Sequence, residues 1–187
     1  MSVRPIFITG DPVLHTVAAP VTTFDASLQE LIEDMYQTMD EAPGVGLAAP
    51  QIGVGLRIFV YDYPEDDGTP RRGVAINPEL FISPVEVREP ELSEEEGCLS
   101  FPGERFPLVR ADKAILRAQD EKGAFFELEC EGWFARIMQH EFDHLNGLLY
   151  VDRLAHQEGK KAAKTRKSNG WGKPGNTWMP GVDDLEG

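Results

Sequence analysis

Trp133-Phe134-Ala135-Arg136-Ile137-Met138-Gln139-His140-Glu141-Phe142-Asp143-His144-Leu145-Asn146-Gly147 is the stretch on which the reading of this chain turns. Phe134, Ile137, Met138 and Leu145 fall at helical spacing and mark an apolar side, and Gly147 offers the left-handed residue that ends a helix. The spacing predicts a helix from about Trp133 to Asn146. At about 3.6 residues per turn, His140 and His144 stand one turn apart on one side, so both imidazoles can reach a single metal ion. Glu141 lies beside them, where a carboxylate can take a proton from water at that ion. The same HExxH pattern also arises when two histidines merely decorate a surface helix. Here the apolar side is made by other residues, which leaves the histidine side free to line a cavity.

A catalytic metal site needs a third protein ligand and one position left for water. Cys98 is the candidate. It lies in Glu96-Gly97-Cys98-Leu99-Ser100-Phe101-Pro102, where Gly97 lets the backbone approach a ligand and Pro102 restricts the loop. A lone cysteine is otherwise usually a small apolar core residue. Cys130 opens a rival, a closed Cys2His2 structural site, but the two cysteines lack the short spacing of structural knuckles. Cys130 ends the alternating run Phe126-Glu127-Leu128-Glu129-Cys130 and reads as a core-facing strand residue.

A second unusual segment is Gly44-Val45-Gly46-Leu47-Ala48-Ala49-Pro50-Gln51. Its glycines and alanines remove side-chain bulk, so a substrate or the Cys98 loop can approach this backbone, and a tight packing loop reads the same way. It is neither a P-loop nor a dinucleotide turn. The amide of Gln51 can donate to an oxygen that turns negative as a carbonyl is attacked. That role requires Gln51 to lie near Cys98, which spacing cannot establish.

Around these motifs the chain reads as α+β. Leu28, Leu31, Ile32, Met35 and Met39 predict an amphipathic helix from Ser27, with Ser27 and Glu30 as a capping box and Pro43-Gly44 as its end. Strands are expected at 56–63, 74–76, 81–87, 113–118 and 125–130, with an exposed loop over 64–73 and a short opening segment at Pro5-Ile6-Phe7-Ile8. The strands follow one another as a meander, not in βαβ alternation. Short antiparallel or mixed sheets packed around the central HExxH helix are therefore expected. Residues 1–155 are expected to form the catalytic domain, and 156–187 a basic, flexible tail in which a short helix frays into a disordered end.

The net charge is -14, distributed unevenly. Residues 153–173 hold seven of the 18 basic residues and one of the 32 acidic ones, so this segment carries +6 and the remainder -20. An acidic body of this kind argues against sequence-specific nucleic-acid binding. No apolar run reaches the length of a membrane span, and Met1-Ser2-Val3-Arg4-Pro5 lacks a signal-peptide core, which predicts a cytoplasmic protein with no membrane partner. Two distant cysteines fit a reducing compartment.

Taken together, GVGLAAPQ (44–51), EGCLS (96–100) and QHEFDH (139–144) resemble the three signature motifs of the peptide deformylases, in the family's order and approximate separation. The likeness extends to Gly10-Asp11-Pro12-Val13-Leu14 and covers about residues 3–155. It implies a bacterial enzyme that hydrolyses the N-formyl group from N-formyl-methionyl nascent polypeptides and releases formate. It also implies one divalent metal per chain on Cys98, His140 and His144, Fe(II) in family members, with Ni, Co or Zn as substitutes. Glu141 would accept and return the proton. Gln51 and the backbone N–H of Leu99 would stabilise the oxyanion. Val45, Gly46, Glu96, Gly97, Trp133 and Ile137 would bind substrate, with the methionine side chain in an apolar pocket. Trp133 and Arg136 fit that carry-over less well, the first for its bulk and the second for its charge. Arg105 can contact substrate or stabilise its loop; Arg110 and Asp143 can pair or stay solvated.

Two other readings compete. A zinc endopeptidase shares HExxH, but its third ligand lies downstream, where this chain offers only His156 and Glu158. A metal-stabilised interaction module has no use for Glu141. The basic tail can fold back on the acidic body or make transient contact with ribosomal RNA.

Overall fold

The computed structural model describes residues 2–64, 68–183 and 185. The opening segment is a short strand, β1 (Ile6–Phe7), followed by a 3-10 turn at Pro12–His15. Helix α1 runs Ala26–Glu41, burying Leu28, Ile32, Met35 and Met39. Its start differs from the expected capping box: Asp25 is the N-cap and accepts from the N–H groups of Ser27 (3.0 Å) and Leu28 (3.2 Å). Ser27 spends its own hydroxyl on Asp25 (2.6 Å). Asp competes well for this position because its carboxylate meets the free N–H groups and the positive end of the helix dipole.

The central sheet is antiparallel, ordered β2 (Gly46–Ala48), β3 (Ile58–Asp62), β4 (Arg72–Ile82), β7 (Lys113–Gln119), β8 (Phe125–Glu131). Between β4 and β7 in the chain, β5 (Glu95–Cys98) and β6 (Phe101–Pro107) form a separate hairpin. The two strands expected at 74–76 and 81–87 are one strand ending at Ile82, interrupted by a register shift between Ile76 and Glu79. Asn77, at φ +51, and Pro78, which has no N–H to give the ladder, account for the break. Asn77 is tied into place by mutual bonds with the Val21 backbone (2.8 and 2.9 Å). Of the expected loop over 64–73, residues 65–67 lie outside the described residues, and Arg72 and Gly73 belong to β4.

Helix α2 (Gly132–Leu145) packs against β2, β7 and β8, and Gly147 has φ +73. Phe134, Ala135, Ile137, Met138 and Leu145 join Phe59, Ala75 and Leu116 in the core under the sheet. The α+β architecture around a central HExxH helix is thus the observed one.

Composition predicts a basic, flexible end from residue 156 in which a short helix frays into disorder; the helix is found, and the departure is the paired strand beyond it. Residues His156–Ser168 form helix α3, and β9 (Thr177–Trp178) pairs antiparallel with β1. Two aromatic side chains drive this: Trp178 is buried in the main core, and Trp171 packs between two core clusters. Burying large aromatics stabilises by about 1.5–3 kcal/mol each, enough to order a short polar segment. Residues 184, 186 and 187 of that end lie outside the described residues. Among the described residues, no helix is long and apolar enough to cross a membrane.

Candidate active site and metal centre

Cys98 closes β5, opposite Phe101 across a two-residue turn, and that turn points its thiol at the flank of α2. Cys98 Sγ lies 3.4 Å from His144 Nε2, and one ligand atom from each of Cys98, His140 and His144 falls within 4.8 Å of the others. Two ligands bound at about 2.3 Å (S) and about 2.0 Å (N) to one tetrahedral ion stand about 3.5 Å apart, so this thiol and two imidazoles fit a metal. Among the described residues, this is the one His/Cys/acid group so arranged. His140 turns its Nδ1 to Glu96 (3.0 Å), leaving the other ring nitrogen for the centre.

Burial opposes charge on both rings. At His140 the adjoining Cys98 and Glu96 outweigh it and raise the pKa well above the usual value, whereas at His144 burial prevails and lowers it well below.

Glu96 is itself held by four bonds. Arg110 grips it at 2.7 and 2.9 Å, Arg136 at 2.7 Å, and His140 completes the set. Arg110 also reaches Asp143 (2.7 Å), and Asp143 takes two further bonds from Arg153 (2.7 and 2.5 Å). The pairing of Arg110 with Asp143, left open by spacing, is a buried ion pair with both side chains 5% exposed. Arg136 resolves its charge by pairing with Glu96 and the Leu108 carbonyl, and lies over the Trp133 ring at 5.1 Å. No motif signals Arg153; only the fold brings it to Asp143.

Glu141 is 4% exposed, and its Oε2 has no hydrogen-bond partner among the described residues. Burial, partly offset by His140 and Arg110, pushes its pKa up to about 7, which suits a group that must take and return a proton near neutral pH. Gly46 makes room for this side chain, since a Cβ there would overlap the carboxylate. Gln51, 1% exposed, accepts from the Ala48 N–H through Oε1 (2.8 Å), which turns its NH2 toward Ser100 Oγ (3.4 Å) and Cys98 Sγ (3.9 Å). The proximity that the oxyanion role requires is therefore present. Cys130 lies elsewhere, 1% exposed on β8, with its thiol pushed up to about 11 by burial. It belongs to no ligand group, and neither do His156 and Glu158.

One cavity of about 400 Å³ is lined by Val45, Gly46, Gln51, Glu96, Gly97, Cys98, Leu99, Trp133, Ile137, His140 and Glu141, with His144 buried behind. It gathers every candidate residue but that histidine. Glu96 borders it while its carboxylate is engaged by the two arginines and His140. Arg105 also stands at its wall, over Gly97.

Residues 3–160 match the model of the polypeptide deformylase family. The chain belongs to that family. As a deformylase it hydrolyses the N-formyl group of N-formyl-methionyl nascent peptides. Peptide deformylase 2 of Corynebacterium efficiens is 52% identical over 186 residues, covering 98% of this chain and 96% of that one. The peptide deformylase of Mycolicibacterium vanbaalenii is 53% identical over 192 residues, with 98% and 97% covered. Among solved deformylases, the Legionella pneumophila enzyme superposes with TM-score 0.77 at 42% identity, over 90% of this chain and 96% of its own. The Synechococcus elongatus enzyme, in complex with actinonin, gives 0.76 at 34%, over 89% and 87%. The cysteine and two histidines form a group that could hold one metal ion, as the family suggests.

Proposed function

We propose that Cys98, His140 and His144 hold one divalent ion, Fe(II) in the working enzyme, with Ni, Co or Zn as functional substitutes; one thiolate and two imidazoles suit all four. When bound, that ion supplies Lewis-acid polarisation of the formyl oxygen and lowers the pKa of water. Glu141 accepts the proton of the attacking water on its unpartnered Oε2 and returns it to the departing amine. Gln51 Nε2 and the Leu99 N–H donate to the formyl oxygen as it becomes negative. Glu96 lines the substrate cavity and orients His140, its two oxygens engaged by Arg110, Arg136 and His140.

The peptide lies extended along the backbone of Val45, Gly46 and Gly97, and its methionine side chain enters the cavity against Trp133 and Ile137. The enzyme works in the cytoplasm, where formylated chains emerge. Helix α3 displays Lys160, Lys161, Lys164, Arg166 and Lys167 at the surface, which favours transient ribosome contact through phosphates.

The observation that carries this reading is the convergence of Cys98, His140, Glu141 and Gln51 on one cavity, with the buried His144 within ligand reach of Cys98 and His140. Formate release from a formyl-Met peptide should vanish after chelation and return with each of the four metals, fastest with Fe(II) under anaerobic conditions. Undiminished release from verified metal-free protein would end the proposal. For the ribosome contact, the triple variant Lys160→Glu, Lys164→Glu, Lys167→Glu should lose salt-sensitive cosedimentation with ribosomes; unchanged cosedimentation would end that part.

A further inference from the structure

Leu99 and Ser100 form the two-residue loop between β5 and β6, since Cys98 and Phe101 are paired. Two-residue hairpin loops favour turns with positive φ, whose twist matches the strands. Neither Leu99 nor Ser100 has one, so the corner depends on bonds from outside the hairpin. Three reach it: the Thr9 N–H donates to the Ser100 carbonyl (2.9 Å), the Gln51 amide to Ser100 Oγ (3.4 Å), and Trp178 Nε1 to the Leu99 carbonyl (2.8 Å).

Trp178 comes from the far end of the chain and is 3% exposed. Its strand pairs with β1 in the register Ile6↔Trp178. The segment leading to it is stitched along the same edge: the Gly172 N–H donates to the Thr9 carbonyl (2.9 Å), the Ile8 N–H to the Asn176 carbonyl (2.9 Å), and the Trp171 ring meets Phe101 edge-on at 5.1 Å. Gly10 and Gly172 approach so closely that a Cβ on Gly10 would overlap Gly172. The basic end of the chain thus runs behind the corner that carries Cys98, Leu99 and Ser100.

We infer that Trp178 is a positioning residue for deformylation: by holding the Leu99 carbonyl it fixes the Leu99–Ser100 peptide plane, limits rotation about Leu99 and so steadies the Leu99 N–H toward the formyl oxygen. The inference rests on the oxyanion role proposed above for Leu99. A backbone donor contributes to the transition state only while it is held in place, and small displacements near a reacting atom are costly in rate.

Trp178→Phe keeps an aromatic ring in the core and removes the donor. Turnover should fall about tenfold with KM changed by less than about twofold, the pattern of a group felt in the transition state. Metal content and the rate of metal loss to a chelator should stay at parental values. Trp171→Phe, on the same segment without a bond to Leu99, should retain parental kcat. Parental kcat in Trp178→Phe, or a fall matched by loss of metal, would overturn the inference, because the residue would then not act through Leu99.

Gln51→Ala separates the two levels. If it leaves kcat unchanged, the oxyanion reading has failed; if it lowers kcat while Trp178→Phe does not, only the role of Trp178 has. Should Trp178→Phe fail to fold, 15N-indole spectra of the parent decide. The Trp178 N–H must be protected from solvent exchange and must shift when a non-hydrolysable formyl-Met peptide analogue binds, and an unmoved resonance overturns the inference.

Discussion

Glu141 and Gln51 show how two ordinary polar residues acquire chemistry from their surroundings. Glu141 is buried with no donor to Oε2 among the described residues, and burial carries its pKa to about 7. Glu141→Gln preserves shape and removes the base; turnover should fall by about 10²- to 10⁴-fold while metal content stays at one ion per chain. Formate assays paired with metal analysis check this, and a rate near that of the parent would remove Glu141 from proton transfer. Gln51 is oriented by a backbone group: because its Oε1 accepts from Ala48, its NH2 must face the centre. Gln51→Ala should lower kcat by about 10²- to 10³-fold with little change in the thermal midpoint. An unchanged kcat would mean that the amide merely fills space.

Helices and strands place these residues by local rules that can be tested separately. Helix α1 begins where the Asp25 carboxylate meets the N–H groups of Ser27 and Leu28. Asp25→Ala should lower the urea midpoint, as for other lost N-caps. Ser27→Ala, which leaves the capping carboxylate in place, should lower it less; the reverse order would restore Ser27 as the cap. Strand β8 alternates by residue, with Cys130 inward and Glu127, Glu129 and Glu131 outward. That alternation made it readable in advance, as it did for β7. β4 was not, because Pro78 in its middle resembles a strand end until the bulge around Asn77 is seen.

Across the molecule, an acidic body of -20 is held together in part by arginines clamped between carboxylates. Glu94 is held at about 2, below its model-peptide value of 4.5, chiefly by its bond to Arg88. At Asp34 burial pulls upward, and the Arg4 pair outweighs it to lower the pKa. A carboxyl depressed by folding contributes stability that is fully present above its unfolded pKa and lost as pH falls through the folded one. The share of these pairs should therefore hold level above about pH 5 and be lost between about pH 4.5 and about pH 2. Glu141, raised to about 7, instead gives stability at low pH that is lost as pH rises from about 4.5 to about 7. Salt should weaken the Glu94 share, because Arg88 is 37% exposed. A midpoint independent of pH across the acid window would show that these pairs contribute nothing net.

Much of the fold and most of the site could be read from short-range pattern. Helical spacing marked α1 and α2, alternation marked β7 and β8, and three motifs named Cys98, His140, His144, Glu141 and Gln51. These are periodicities and spacings of a few residues, set by backbone geometry, so they survive in one dimension. The roles of Glu96, Arg110, Asp143 and Arg153 did not, since each side chain is commonly solvated and only burial together makes them a network. Composition marked the short helix at the end of the chain but not the order beyond it, because that polar stretch looks loose until Trp171 meets Phe101 and Trp178 meets Ile6 and Leu99, residues laid down more than 60 positions earlier. Contacts between groups that far apart depend on how the sheet and helices pack, and no local rule of spacing encodes that packing.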